Sequence, residues 1–383
     1  MKILIALTYY RPHYSGLTIY TERLARALGE RGHQVTVITS QFSKDLPRLE
    51  QIDGVKVVRL PVWLHVSKGV IMPAMPFRAM KELFQVDLVN LHVPQLDAAP
   101  IALTARLMGK PVVLTYHCDL LLPTGLVNRA ANIASDLANH ISASAANLIV
   151  TNTLDYANYS GFLGQYIDKV REIPPPAALP AVTDQAVEDF RTKYQIGAQE
   201  KVIGMVGRLA AEKGAEYLVK ALPLILARHP DARVVHVGQY EDVIGEEKYA
   251  QMLAPLVSSL GDRWQFLGII PDEELTAFFK LCDVIATPST NSTESFGIVQ
   301  VEAMICGTPT VASDMPGMRQ PILMTGMGMI FPPQDVAKLA AAVIEILDNP
   351  EKYRGDIPKI INRFAPDTIA QEYEEIFKEA IAK

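Results

Sequence analysis

Three cysteines in 383 residues, Cys118, Cys282 and Cys306, are too few and too far apart for a disulfide framework or a clustered metal site. Their scarcity fits a reducing compartment, so a cytoplasmic protein is expected. No apolar run approaches the roughly 20 residues that span a bilayer. Residues 1–8 are too short and too soon polar for a signal peptide, and they read as a first strand. Asp-x-Asp is absent and no His, Cys and Asp residues stand at ligand spacing, so neither a bound metal nor a cofactor is expected. Aromatic residues, at 7%, are nowhere interleaved with basic clusters, which excludes nucleic acid as a partner. Charged residues make up only 20% of the chain against 49% hydrophobic, and at this length that suffices for two domains with their own cores.

The net charge of −6 is unevenly spread: residues 1–176 carry +4 and residues 177–383 carry −10. A mildly positive half is ordinary for a protein surface; it is also what an anionic membrane or a phosphate-bearing acceptor would favour. Within that half, β-rich runs at 2–7, 35–39, 55–60, 88–92 and 112–116 alternate with helical periodicity, as at 20–30, which predicts a parallel doubly wound sheet. The pattern restarts after Ile173-Pro174-Pro175-Pro176-Ala177-Ala178-Leu179-Pro180, which can continue neither a helix nor a central strand. Strands then follow at 202–206, 233–237, 265–267, 284–287 and 310–312. The expectation is an α/β chain of two Rossmann-like domains, 1–176 and 177–366, whose sheets face a central cleft at the carboxyl ends of their strands. The tail, 367–383, sets Ile369, Tyr373, Ile376, Phe377 and Ile381 on one helical face, so it must pack against something.

Chemistry concentrates at a few positions. Glu294 in a loop and Glu302 on the following helix stand eight residues apart across Gly297, which opens that helix. The backbone N–H groups of Ser295, Phe296, Gly297 and Ile298 would suit phosphate or sugar hydroxyls there. Two surface glutamates flanking a helix are the commoner meaning of such a pair. Arg208 and Lys213, five residues apart across the turn after strand 202–206, suit an anion as a bidentate fork and a point charge. Two solvated cations at a helix start would oppose its dipole unless an anion sat nearby. Gly16, at a strand-to-helix turn, allows backbone to approach phosphate, or is simply a turn. His117 follows a buried-looking strand, and a lone histidine is usually structural; Asp119 contacts an acceptor, orients His117, or caps the next segment.

The span from Glu294 to Glu302, continuing as Ala303-Met304-Ile305-Cys306-Gly307-Thr308-Pro309-Thr310, resembles the E-x7-E signature of the retaining glycosyltransferase family 4 (glycosyl transferases group 1), whose members have the GT-B fold. The likeness extends in the family's order through Arg31-Gly32-His33-Gln34-Val35, Val206-Gly207-Arg208-Leu209 with Lys213-Gly214, and Phe266-Leu267-Gly268. Nearly the whole chain is covered. The resemblance implies transfer of a hexose from a UDP- or GDP-linked sugar to a hydroxyl acceptor, for example a lipid or polysaccharide precursor, with retained configuration and no metal. It implies that Arg208, Lys213 and Gly16 bind the diphosphate and that His117 contacts the donor sugar. Glu294 would hold sugar hydroxyls and Glu302 ribose hydroxyls, with Ile270 and Asp272 in the base-binding loop; by its position Asp272 could equally cap the helix that follows. It also implies that the tail helix crosses back to the first domain. Departures are Ser15, where the family has a first glycine before Gly16, and Pro174-Pro175-Pro176-Ala177-Ala178 in place of Pro-Asn-Gly-Val-Asp.

Rival readings are a non-catalytic sugar-nucleotide-binding regulator or scaffold, and an epimerase of the same architecture. The intact Arg208, Lys213, His117, Glu294 and Glu302 argue against the first, and the loop between the two glutamates favours transfer over the second. Residues 66–83 mix Met, Ile, Phe and Leu with Lys68, Arg78 and Lys81. Pro73 and Pro76 argue against a long amphipathic helix, so a core-packing loop and helix is favoured, with peripheral contact to the inner face of a membrane as the alternative.

Overall fold

Short runs of Val, Ile and Leu that are buried on both faces build the centre of each sheet, as expected of parallel strands covered by helices. The computed structural model describes residues 1–66, 69–119 and 126–383. Its chain divides into one unit of residues 1–176 with 364–383, and a second of residues 177–363.

The first unit contains strands β1 (Lys2–Ala6), β2 (Gln34–Gln41), β3 (Leu49–Ile52), β4 (Val55–Pro61), β5 (Leu64–Val66), β6 (Gly69–Ile71), β7 (Leu88–Val93), β8 (Val112–Tyr116), β9 (Leu148–Thr151) and β10 (Val170–Glu172). Eight of them form one sheet in the order β10-β9-β8-β7-β1-β2-β4-β3. Only β3 runs antiparallel, and it lies at the edge. β5 and β6 form a separate hairpin. Five of these strands, β3, β5, β6, β9 and β10, escape the sequence reading; β5, β6 and β10 are three residues each, too few for a period to register.

The tail helix Pro366–Ala382 buries Ile369, Ala370, Tyr373, Phe377 and Ala380 against the helix Gly16–Glu30 and the sheet. Each such aromatic contributes roughly 1.5–3 kcal/mol by burial. Ile376 is only partly buried, and Ile381, expected on the packed face, is exposed: the buried line runs through Phe377 and Ala380, and Ile381 lies one position off it. Arg31 clamps this helix. Its Nε and Nη1 reach Glu374 and Asp367, each at 2.7 Å, while His33 Nε2 lies 2.8 Å from Glu374 Oε1. The Arg31-Gly32-His33 stretch therefore serves the tail.

The second unit contains β11 (Lys201–Val206), β12 (Ala232–Val237), β13 (Trp264–Gly268), β14 (Val284–Thr287), β15 (Thr310–Ser313) and β16 (Gly328–Phe331). All six are parallel in the order β13-β12-β11-β14-β15-β16. The order reverses between β11 and β14, and in open α/β sheets such a reversal, at the carboxyl ends of the strands, is where ligands bind.

Between β6 and β7, the helix Met75–Leu83 buries Met75, Ala79, Glu82 and Leu83. That is the core-packing role expected of residues 66–83, of which Lys68 lies outside the described residues. Its outward residues Phe77 and Met80, with Phe84 beyond its end, are exposed. Among the described residues, no helix is long and apolar enough to cross a membrane.

Arg31 and then His33 hold the Glu374 carboxyl down at about 2, against an ordinary 4.5. A carboxylate with a depressed folded value stabilises the fold above its ordinary value and loses that contribution as pH falls toward the depressed one. Glu374→Gln should therefore lower the melting temperature at neutral pH, with the deficit shrinking as pH drops from 4.5 toward 2. Thermal unfolding followed by circular dichroism across that range checks this; equal melting at neutral pH would reject the clamp.

Candidate functional site

Beyond the carboxyl ends of β11 and β14 lie residues 207–214 and 288–297, the two loops that carry Arg208, Lys213 and Glu294. They meet backbone to backbone. Gly214 has φ +68°, and a Cβ there would stand 2.0 Å from the Pro288 carbonyl oxygen, so only glycine permits the approach. Thr290 then donates from its N–H to the Glu212 carbonyl at 2.9 Å and from its hydroxyl to the Ala211 carbonyl at 3.2 Å. The result is that the Lys213 ammonium donates directly to Glu294 Oε1. Arg208 is looser, with Nη2 3.1 Å from Glu212 Oε1 and a side chain 43% exposed.

Gly297, with φ +77°, precedes the helix Ile298–Ile305, whose start has no side-chain cap. A Cβ at 297 would meet Gln300 Nε2 at 2.6 Å and Met318 Sδ at 2.9 Å. The buried Gln300 explains this crowding: Nε2 donates to the Met318 carbonyl at 2.8 Å, and Oε1 accepts from Thr310 at 3.2 Å. The helix start is thus pinned to the strand and loop beside it. Ser295 and Phe296 are buried, Ile298 is half-buried, and Glu302 is only 5% exposed, while Glu294 stays more open, with a side chain 21% exposed.

After β13, Ile270 is half-buried and Asp272 exposed. The capping reading of Asp272 is corrected: it is the first residue inside the helix Asp272–Leu281, whose cap position is Pro271 and has no side-chain bond. A carboxylate in the first turn still suits the helix dipole. His236 escaped the sequence reading. Burial holds this histidine down at about 4, and its neutral ring donates from Nε2 to the Gly207 carbonyl at 2.9 Å, fixing the turn just before Arg208. The available signal was a polar ring inside the β12 run Val-Val-His-Val, where an unpaired donor would be costly.

In the first unit, Ser15 uses its hydroxyl to cap the helix Gly16–Glu30, accepting from Thr18 N–H at 3.2 Å. Nothing lies within 4 Å of where a Cβ on Gly16 would stand, so packing does not demand glycine there. Asp119 ties neighbouring segments together, since its Oδ1 accepts from Tyr116 at 2.8 Å and from Ser160 at 2.7 Å, and its N–H donates to the Tyr156 hydroxyl at 2.7 Å. The orienting partner for His117 is instead His92, whose Nδ1 lies 2.9 Å from His117 Nε2. The rings stack at 5.1 Å, and Tyr20 stands edge-on to His117 at 4.9 Å. Burial pushes His117 down to about 3, so its imidazole is neutral. His92 also escaped the sequence reading, although it sits on a strand buried at every position.

Among the described residues, no group of three or more His, Cys, Asp or Glu is gathered as a metal site. The family profile described as Glycosyl transferases group 1 matches residues 186–359. The profile described as Glycosyl transferase 4-like domain matches residues 15–176. The chain is 26% identical to the 2-deoxystreptamine N-acetyl-D-glucosaminyltransferase of Streptomyces fradiae, covering 94% of this chain and 90% of that protein. It is 27% identical to the D-inositol 3-phosphate glycosyltransferase of Acidothermus cellulolyticus, covering 96% and 86%. The crystal structure of Anabaena HepE in complex with UDP and glucose superimposes with a TM-score of 0.78 at 20% identity, covering 99% of both chains.

Proposed function

Because the chain belongs to the glycosyl transferases group 1, the family 4 glycosyltransferases of GT-B fold, we propose that it is a retaining, metal-independent hexosyltransferase using a nucleoside diphosphate sugar. One observation carries the reading. Lys213 and Glu294, a cation for phosphate and a carboxylate for hydroxyls, are brought into contact at the strand-order reversal of the second unit. As the glycosidic bond to the donor breaks, negative charge builds on the leaving diphosphate. Arg208, Lys213 and the uncapped start of the helix Ile298–Ile305 supply positive potential in its place. Glu294 accepts hydrogen bonds from sugar hydroxyls and Glu302 from ribose hydroxyls. Ile270 and Asp272 stand where the base is held, Gly16 leaves backbone accessible to phosphate, and His117 contacts the donor sugar. The donor is UDP- or GDP-linked; the complex of Anabaena HepE with UDP and glucose favours the uridine form.

Retention follows from front-face attack. The bond from the anomeric carbon to the diphosphate oxygen breaks, the acceptor oxygen bonds to that carbon on the same face, and the departing phosphate oxygen takes the acceptor's proton. No protein base is needed, which agrees with a neutral His117 held far below the range where it would exchange protons near neutrality.

The acceptor is a hydroxyl compound, and a lipid or polysaccharide precursor presented at a membrane suits the first unit's surface. Phe77, Met80 and Phe84 share an outward face, exposed along with Trp63 and Leu64 of the preceding segment. Leu103 and Leu107 on the adjoining helix Ala98–Leu107, and Ile133 and Leu137 on the next helix, Leu126–Ala145, are exposed as well. Lys81 and Arg106 stand among them, as an interfacial surface requires.

Arg208→Ala and Lys213→Ala should each lower kcat by about a hundredfold to a thousandfold, with little effect on folding. Assays over a panel of sugar nucleotides measure this; unchanged turnover in both variants would sink the assignment.

Proton NMR of the product made from an α-linked sugar nucleotide in EDTA should show an α linkage. A β-linked product, or activity lost on chelation and restored by manganese, counts against the mechanism.

Sedimentation with anionic phospholipid vesicles should carry the protein down, and Phe77→Ser with Phe84→Ser should release it. Equal sedimentation of both forms rejects the membrane surface.

A further inference from the structure

The partners of His117 determine which of its nitrogens holds the proton. Asn90 on β7 donates from its side-chain amide to the Val113 carbonyl at 3.2 Å and to Thr115 Oγ1 at 2.8 Å. A backbone carbonyl can only accept, so the amide orientation is fixed and Asn90 Oδ1 faces His92. That oxygen lies 2.9 Å from His92 Nε2, which must therefore carry a hydrogen. His92 is completely buried, and burial, with the neighbouring His117, pushes its titration well below the ordinary histidine range. A neutral ring with its hydrogen on Nε2 has a bare lone pair at Nδ1.

Two groups face that lone pair, Thr21 Oγ1 at 3.0 Å and His117 Nε2 at 2.9 Å. Thr21 has one hydroxyl proton, which can also go to the Leu17 carbonyl at 2.9 Å. Whichever way it turns, two bare nitrogens at 2.9 Å would repel, so His117 Nε2 meets His92 as a donor. The arrangement is anchored at its far end: Thr115 Oγ1 lies 3.1 Å from the Tyr373 hydroxyl of the tail helix, which lies 2.7 Å from the Tyr20 hydroxyl. Every side chain in it is at most 8% exposed. Titratable groups near the two histidines include each other, Tyr20 from the helix Gly16–Glu30 and, through Thr115, Tyr373.

We propose that His92 is a positioning residue for the transfer reaction, holding the His117 ring in one orientation and as the Nε2–H tautomer. This rests on the reading of His117 as a sugar contact. The long path through Asn90, Thr115 and Tyr373 has a reason on this account: each link fixes the direction of the next hydrogen bond.

The test has an arm that needs no substrate. In the ¹⁵N-labelled full chain, the two-bond ¹H–¹⁵N spectrum, with His117 assigned by signal loss in His117→Gln, should show a pyrrole-type Nε2 and a pyridine-type Nδ1 throughout the neutral range. The opposite tautomer, or an imidazolium pattern near neutrality, overturns the proposal. In the second arm, His92→Phe removes the acceptor, while His92→Asn keeps an oxygen close to the Nδ1 position. With UDP-glucose hydrolysis as the probe, His92→Phe should lose about a hundredfold in kcat through misplacement of His117. KM should change far less, and His92→Asn should recover part of the loss. Wild-type kcat in His92→Phe overturns the proposal. If UDP-glucose is not turned over by the wild type, the donor reading fails, and the nitrogen spectra still decide the tautomer.

Discussion

The reversal of strand order between β11 and β14 is the constraint on which the candidate site depends. Neighbouring parallel strands at such a reversal bring the loops that follow them side by side at their carboxyl ends, before any side chain is chosen. Two loops from distant sequence then need a reason to stay in register. Gly214 provides it by letting its backbone come against the Pro288 carbonyl, and the Thr290 bonds to Ala211 and Glu212 lock the approach. Lys213 is next in the chain to that contact, so its ammonium has little choice but to meet Glu294.

Rigidity is distributed unequally around this site. The helix start at Gly297 is pinned through buried Gln300 to Met318 and Thr310, and the turn at Gly207 is held by His236. Arg208, by contrast, has one partner four residues away and much of its side chain in solvent. A backbone held in place with an exposed guanidinium on it is a sensible division: hydrogen-bond donors that must meet developing charge work best preorganised, whereas a long cation can follow its anion.

The first unit solves a different problem, that of polar side chains inside a sheet. Asn90, His92 and Thr115 stand on strands with no access to water, and the tail helix closes the set with Tyr373. Arg31 and His33 draw the same helix in through Glu374 at its outer edge. A helix far from β1 in sequence is thus bound by both an apolar face and several polar attachments, Arg171 to Glu379 among them. Asp119, by contrast, is occupied with Tyr116, Ser160 and Tyr156, while the His117 ring meets His92.

Local pattern alone determined much: runs of β-branched residues separated by helical periods specify two parallel sheets, the proline-rich stretch at 173–180 marks a break, and the spacing of Glu294, Gly297 and Glu302 marks a loop opening into a helix. Those signals live within a few residues of each other, where backbone preference and side-chain period act directly. Strands of three residues such as β5 and β10 lack the length to register, and Asp272 looked like a cap because a single position of shift separates cap from first turn. Pairings across long separations were invisible. Lys213 with Glu294, His92 with His117, and Arg31 with Glu374 join residues from 25 to 343 positions apart, and no periodicity encodes which of many polar side chains will face one another. Only the tertiary structure decides those partners, because register, burial and chain crossing together set which donor finds which acceptor.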